Sequence, residues 1–242
     1  VKTINDKGRK GINRVWWNFM GEKSDAMVMR TKPLYADWVS LGDDRVRNIP
    51  STISIMQPPG TYTVSIQSGE IISKKDLVVI KDPHSEGTIA DIKLQNELMQ
   101  KIYSDLNSTA KHVNSIESVR RQLLDLKSML SVSGKEEKLI SEVDILENKF
   151  LELEKKLLQL KTTGKGQDVV RYPKMIGEKL SYLAENVQIS DFKPADSYYD
   201  VYQVLKKRLD DVVDDYDTLI NTDLNQFIEK MNSMGINTIV LR

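Results

Sequence analysis

A chain of 242 residues, 40% of them hydrophobic, is long enough for one large or two modest domains with real cores. Lys plus Arg (35) balance Asp plus Glu (35), so no global field draws nucleic acid or an anionic membrane, and the absence of cysteine removes disulfides, thiolate nucleophiles and Cys-based zinc sites together. No run approaches the roughly 18 apolar residues of a membrane span. The chain opens at Val1 in what reads as the middle of a strand, without an initiator Met, and is expected to be cut from a longer protein, so a missing leader excludes nothing.

Residues 1–83 carry sheet-like patterning. Gly11 to Phe19 sets β-branched and aromatic residues behind a Gly-rich turn and predicts a strand, with Val15, Trp17 and Phe19 on one face and Trp16 on the other. Further strands are predicted at Ile53–Met56, at Thr61–Ile66 after the Pro58-Pro59-Gly60 turn, at Ile71-Ile72 after the tight turn Ser68-Gly69-Glu70, and at Leu77–Ile80. Short strands joined by hairpin turns predict a small antiparallel sandwich. Between them, Met27 to Pro50 reads either as an insertion or as a long loop packed on a neighbouring domain. Tyr35 and Trp38 in that stretch are candidates for an aromatic platform facing a sugar or a partner, or for rings that cover the sandwich edge.

The segments Lys10 to Asn18, Pro58 to Val64 and Val79 to Pro83 resemble the G-x-N-x-V-x-W-D and P-P-G-x-Y-x-V pattern of Ig-like modules related to the flagellar hook-capping family, with Asn18 where the pattern often has Asp. Such modules follow β-propellers in secreted bacterial proteins. The resemblance implies a truncated Ig-like fold whose Gly and Trp serve packing.

From residue 84 onward the period becomes helical. Thr88-Ile89-Ala90-Asp91 is a capping box, and Leu98, Ile102, Leu106, Ala110, Val113, Ile116, Leu123, Leu126 and Leu130 follow at spacings near three and four. A helix of about 40 residues is roughly 60 Å long, which makes Asn107-Ser108-Thr109 a candidate bend or break, and Gly134 the stop. Ser133 to Glu136 is a second box, ahead of the a/d seam Leu139, Val143, Leu146, Phe150, Leu153, Leu157 and Leu160. A shorter helix after Pro173 carries Ile176, Leu180, Leu183 and Val187. A last one after Pro194 carries Tyr198, Tyr202, Leu205, Leu209, Val212, Tyr216 and Leu219, continuing or restarting through Leu224, Phe227 and Met231 to Gly235. Short connections force neighbouring helices antiparallel. The expectation is an up-down four-helix bundle closed within the chain, with an intermolecular coiled coil as the alternative. The apolar end Ile239-Val240-Leu241 is expected to pack back on either module.

Gly164 to Pro173, Lys179 to Leu183 and Ser190 to Pro194 are similar to the C-terminal region of large bacterial proteins built on a sortilin-like, BNR-repeat β-propeller and commonly labelled glycosyl hydrolase. That resemblance implies an exported protein, periplasmic or extracellular, whose binding or catalytic surface lies in the propeller. No catalytic residue carries over.

Little in the chain points to chemistry of its own. Gly164-Lys165-Gly166-Gln167-Asp168 lacks phosphate-loop spacing and follows a helix where such a loop follows a strand. Asp168 and Arg171 are expected to pair with each other or to cap helix ends. The doublets Asp43-Asp44, Asp210-Asp211 and Asp214-Asp215 read as solvated faces rather than as two acids across a cleft. His84 and His112 lack a metal-site spacing, and no G-x-S-x-G elbow is present.

The sequence therefore predicts an α+β multidomain chain, with an Ig-like β-sandwich over 1–83 and an antiparallel four-helix bundle over 84–242. Its expected role is a non-catalytic accessory region that supports the upstream propeller or holds a protein or glycan partner. Trp16, Tyr35, Trp38, Asp168 and Arg171 are the candidate interface residues, with no cofactor and no nucleic acid. The alternative is a carbohydrate-binding module.

Overall fold

The computed structural model describes residues 1–34, 36, 38–39, 49–133, 137–163 and 167–236. Tyr35, Asp43-Asp44, the Gly134 stop with its capping box, the Gly164–Gly166 turn and the terminal Ile239–Leu241 lie outside the described residues.

The chain is a mixed α+β protein with two small antiparallel sheets and a set of long helices. Strands β1 (Met20–Lys23) and β2 (Ser54–Met56) pair with Met20 opposite Met56 and Lys23 opposite Ser54. Ser24 extends the pairing, its amide donating to the Ile53 carbonyl and its Oγ accepting from the Ile53 amide. Strands β3 (Gly60–Ser68) and β4 (Ile71–Val79) form the second sheet, with Gly60 opposite Val79 and Ser68 opposite Ile71. The two separately predicted segments at 71–72 and 77–80 belong to this one long strand. Its turn is Gly69-Glu70, and Gly69 sits at φ 61°, the left-handed backbone that a two-residue hairpin asks of its first central residue.

The predicted strand over Gly11–Phe19 is absent, and β1 begins where it was expected to end. Asn13 closes a local loop instead, its carboxamide accepting from the Arg9 amide and donating to the Arg9 and Gly11 carbonyls. Phe19 then turns the chain at φ 60°. A β pattern becomes a strand only where a neighbouring edge takes its backbone groups, and residues 11–18 pair with none among the described residues.

Helix α1 (Ile89–Ser133) runs unbroken for 45 residues. Its start follows the predicted box, the Thr88 amide donating to Asp91 Oδ2 and the Asp91 amide to Thr88 Oγ1. The expected break at 107–109 does not occur, because those side chains find partners without leaving the helix; Thr109 Oγ1 donates to the Asp105 carbonyl. After α1 come α2 (Glu137–Leu157), the short α3 (Asp168–Arg171), α4 (Ile176–Val187), α5 (Asp196–Leu219), a π segment (Ile220–Leu224) and α6 (Asn225–Ser233).

Cross-helix pairs set the directions. Arg120 meets Glu154 and Lys127 meets Asp144, so α2 runs back along α1. At the end of α2, Gly177 of α4 lies where an added Cβ would touch the Leu157 carbonyl at 3.2 Å and Leu158 at 3.1 Å. At the other end of α4, Gln95 Nε2 donates to the Val187 carbonyl. Helices α2 and α4 thus lie in series beside the one long helix. Helix α5 then runs parallel to α1, through Asp105–Tyr202 and Ser115–Tyr216, and the π segment carries it on to α6, where Lys230 pairs with Glu142. The helical part is three rods in cross-section, two of them compound. A 45-residue helix of about 68 Å is too long for any one of its partners to cover.

The predicted seams form the core: Leu98, Ile102, Val113, Ile116 and Leu123 of α1, Leu139 to Leu157 of α2, Leu180 and Leu183 of α4, and Leu205, Leu209 and Met231 of the last rod are all buried. Ile53 and Ile55 join the same core from the β part, while the expected domain boundary at Pro83 falls in the connection between β4 and α1. The last rod continues rather than restarts. Its seam steps by five between Leu219 and Leu224, and the π segment, with the Asn225 amide on the Ile220 carbonyl, brings both residues to the same face.

Deleting Asn221 should convert the π segment to plain α-helix, turn the step of five into four, and leave thermal stability within a few degrees of the parent. Deleting Asp211 from α5 should rotate every later seam residue by about 100° and collapse the melting transition. Equal losses in the two variants, measured by circular dichroism, would refute this account of the register.

Candidate functional site

Two features stand apart from ordinary packing: a buried ionic cluster between α1, α2 and an extended strap, and a β-ribbon that packs on almost nothing.

The strap is the backbone from Lys23 to Thr31, laid along α1 in the same direction. Tyr103 Oη donates to the Lys23 carbonyl, the Asp25 amide to Asn107 Oδ1, and the Val28 amide to Asn114 Oδ1, while Asn114 Nδ2 donates to the Ala26 carbonyl. It ends at Glu117, whose Oε2 accepts from the amides of Arg30 and Thr31 and whose Oε1 accepts from Thr31 Oγ1 at 2.6 Å. Residues 107, 114 and 117 are spaced seven and three apart and so share one face of α1. Without the strap this face would offer polar groups to solvent; with it, they take up main-chain groups that no strand supplies.

Arg120, one turn beyond Glu117, is almost fully buried. Its guanidinium donates through Nε to Glu147 at 2.9 Å, through Nη1 to Glu154 at 2.5 Å, and through Nη1 to Thr31 Oγ1 at 3.3 Å; a longer contact of 3.4 Å reaches Glu117. Glu147 and Glu154 are seven apart on α2 and face the same way. Burial works against the Arg120 charge, and the carboxylates of Glu154 and Glu147 outweigh it, so its pKa is raised. Burial, reinforced by the Glu117 carboxylate, pushes Glu154 up to about 8 in spite of Arg120. Glu154 Oε1 is buried without a hydrogen-bond partner. The adjoining cavity, lined by Met29, Thr31, Arg120 and Leu158 among others, is about 20 Å³, room for about one water. Chemistry on a substrate has no space there.

Other buried acids are equally committed. Asp105 accepts from Tyr202 Oη at 2.8 Å, and burial raises its pKa. Glu178 accepts from the amides of Gln159 and Met175, joining the end of α2 to the start of α4, and it too is raised by burial. His112 Nδ1 lies 2.7 Å from the Ser108 carbonyl, and its ring stacks edge-on to Tyr216. Among the described residues no cluster of His, Asp or Glu is arranged to hold a metal, and no helix is long and apolar enough to cross a membrane.

The β3–β4 ribbon is the second feature. Residues directly opposite share a face, so Tyr62, Val64, Ile66, Leu77 and Ile71 lie on one side together with Ser73 and Lys75, while Thr61, Thr63, Ser65 and Gln67 lie on the other with Val78, Asp76, Lys74 and Ile72. The first side is the more apolar and is open: Ile66 is 66% and Ile71 75% exposed. Only the root is covered. There Trp17 packs edge-on against Tyr62 and tilted against Phe19, each at 5.3 Å between ring centroids, its indole N–H donating to the Met20 carbonyl.

Of the residues singled out by sequence, Trp16 is 80% exposed with the Arg14 guanidinium over its ring, and Trp38 is 65% exposed. Among the described residues no ring contact joins them. Asp168 is buried and binds Thr162 Oγ1 and the amide and hydroxyl of Thr163, which fixes the chain after α2 to the start of α3. Of the two expectations for Asp168 and Arg171, a mutual pair or the capping of helix ends, the pair does not form, and Arg171 is exposed. The cluster around Arg120 escaped sequence reading. Its signal is a Glu and an Arg three apart, Glu117 and Arg120, on either side of the seam residue Val119 and buried with it.

Replacing Arg120 with Ala should destabilise the protein by about 3–5 kcal/mol, since it strands buried carboxylates. Lys207→Ala, which removes an exposed pair with Asp211, should leave the denaturation midpoint unchanged. A mild Arg120→Ala in chemical denaturation would mean that the cluster is not structural. No family model, curated protein or solved structure matches the chain.

Proposed function

We propose that this chain is a non-catalytic accessory scaffold within a larger exported protein, that its β part is one half of an Ig-like sandwich, and that the missing half comes from a β-structured neighbour such as a propeller of the same polypeptide. The observation that carries this reading is the open apolar face of the β3–β4 ribbon. A two-stranded hairpin is marginal in water on its own, and a row of exposed Val, Ile and Leu along one side is the pattern of a sheet face that packs against another layer. The commitment of the buried acids to internal partners supports a supporting rather than a chemical role.

The test is association of the chain with the propeller expressed separately. The paired change Ile66→Lys and Leu77→Lys should abolish binding in calorimetry and leave the helical melting transition in place. Hydrogen exchange of the β3–β4 amides should slow sharply once the neighbour is added. Undiminished binding by the double variant would sink the reading.

The exposed indoles of Trp16 and Trp38 favour a second reading, in which the chain holds glycans by ring stacking. Retention of the chain on a glycan array, lost on Trp38→Ala, would replace the first reading with this one.

A further inference from the structure

We propose that the Glu117–Arg120–Glu154 cluster is a proton-controlled latch: while Glu154 holds a proton it donates to Glu117 and the strap Lys23–Thr31 stays clamped along α1, and when the proton leaves the strap comes free.

The geometry is that of a charge imbalance shielded from bulk water. Among the described residues, three carboxylates, Glu117 from α1 and Glu147 and Glu154 from α2, surround the guanidinium of Arg120, and Lys32 lines the adjoining cavity. The strap adds no neutralising charge to them, since Thr31 offers an amide and a hydroxyl while the Arg30 guanidinium turns away to the Val28 and Asn114 carbonyls. Glu147 keeps a side-chain exposure of 13% and can be screened; Glu117 and Glu154 have 0%. With both ionised, Glu154 Oε1 has no partner and two buried negative charges face one another. One proton on Glu154 removes both defects, because a carboxyl–carboxyl hydrogen bond to Glu117 then becomes available. The cause of the raised Glu154 pKa is this same burial and proximity.

The coupling to the strap follows from what Glu117 does. Its two oxygens already receive the Arg30 and Thr31 amides and the Thr31 hydroxyl, so any outward movement forced by an ionised Glu154 takes those bonds with it. The folded chain keeps a proton that the unfolded chain releases above its ordinary carboxylate range. Stability therefore falls as pH rises from that range toward the folded-state value, and the Arg30–Thr31 end of the strap, which Glu117 holds, is where the loss is felt first.

Amide exchange followed by mass spectrometry at about pH 6 and about pH 9, corrected for intrinsic rates, tests the latch. Strap protection should drop by at least about tenfold at the higher pH, the change that one pKa unit of coupling produces. Glu154→Gln, whose amide can donate to Glu117 at any pH, should keep the strap protected at both. If that variant does not fold, carboxyl-carbon NMR of the parent decides: the resonance assigned to Glu154 should titrate well above the ordinary carboxylate range, with the Arg30 and Thr31 amide shifts following the same midpoint. Strap protection indifferent to pH, an equal loss in the Gln variant, or a titrating glutamate that the strap amides ignore would each overturn the proposal.

Discussion

Everything in this protein is arranged around one unbroken helix. At 45 residues α1 presents far more surface than a single partner can cover, and an exposed apolar seam along so much of its length would not be stable. The chain meets this by laying α2 and α4 in series against it and by joining α5 to α6 through the π segment. A third face remains, and the strap closes it. The β part is therefore tied to the helices by main-chain hydrogen bonds as well as by Ile53 and Ile55 in the common core.

That closure explains polar residues where a helix core would reject them. Asn107, Asn114 and Glu117 lie beside the apolar seam and each receives a strap amide, in exposed bonds at the first two and at Glu117 in a buried one that would otherwise leave the Thr31 amide without a partner. Arg120 is the consequence of burying Glu117, and Glu147 and Glu154 are the consequence of burying Arg120. Replacing the whole set by apolar residues of like volume leaves no charge to solvate, whereas removing one member leaves a charge alone in a poor solvent.

Much of the helical part could be read from residue spacing, because a seam at three and four needs only a local period to be recognised. Leu139, Val143, Leu146, Phe150, Leu153 and Leu157 are buried together as their spacing predicts, and the Thr88–Asp91 box opens α1. The step of five from Leu219 to Leu224 left continuation and restart equally open, and the π segment decides for continuation. The strap was not legible, since Ala26 to Arg30 has no period, and its receptors on α1 look in sequence like any solvated face. Residues 11–19 misled for the opposite reason. Their composition suits a strand, but strand formation depends on a neighbour, which a local pattern does not contain. The candidate site shared this limit: Trp16 and Trp38 are exposed as a platform requires, whereas Asp168 serves a turn and the buried acids were invisible.

The ribbon's attachment has a mechanical meaning. Pro58 and Pro59 separate β2, which lies against the core, from β3, which projects away from it, and their rings hold two consecutive φ angles near one value. Tyr62 Oη donates to the Pro58 carbonyl at 2.5 Å and braces the joint from the far side. The joint accordingly has two fewer free backbone torsions than an ordinary linker of its length. A surface presented at a set bearing loses little rotational freedom when something lands on it, so the orientational entropy of docking has largely been given up at folding.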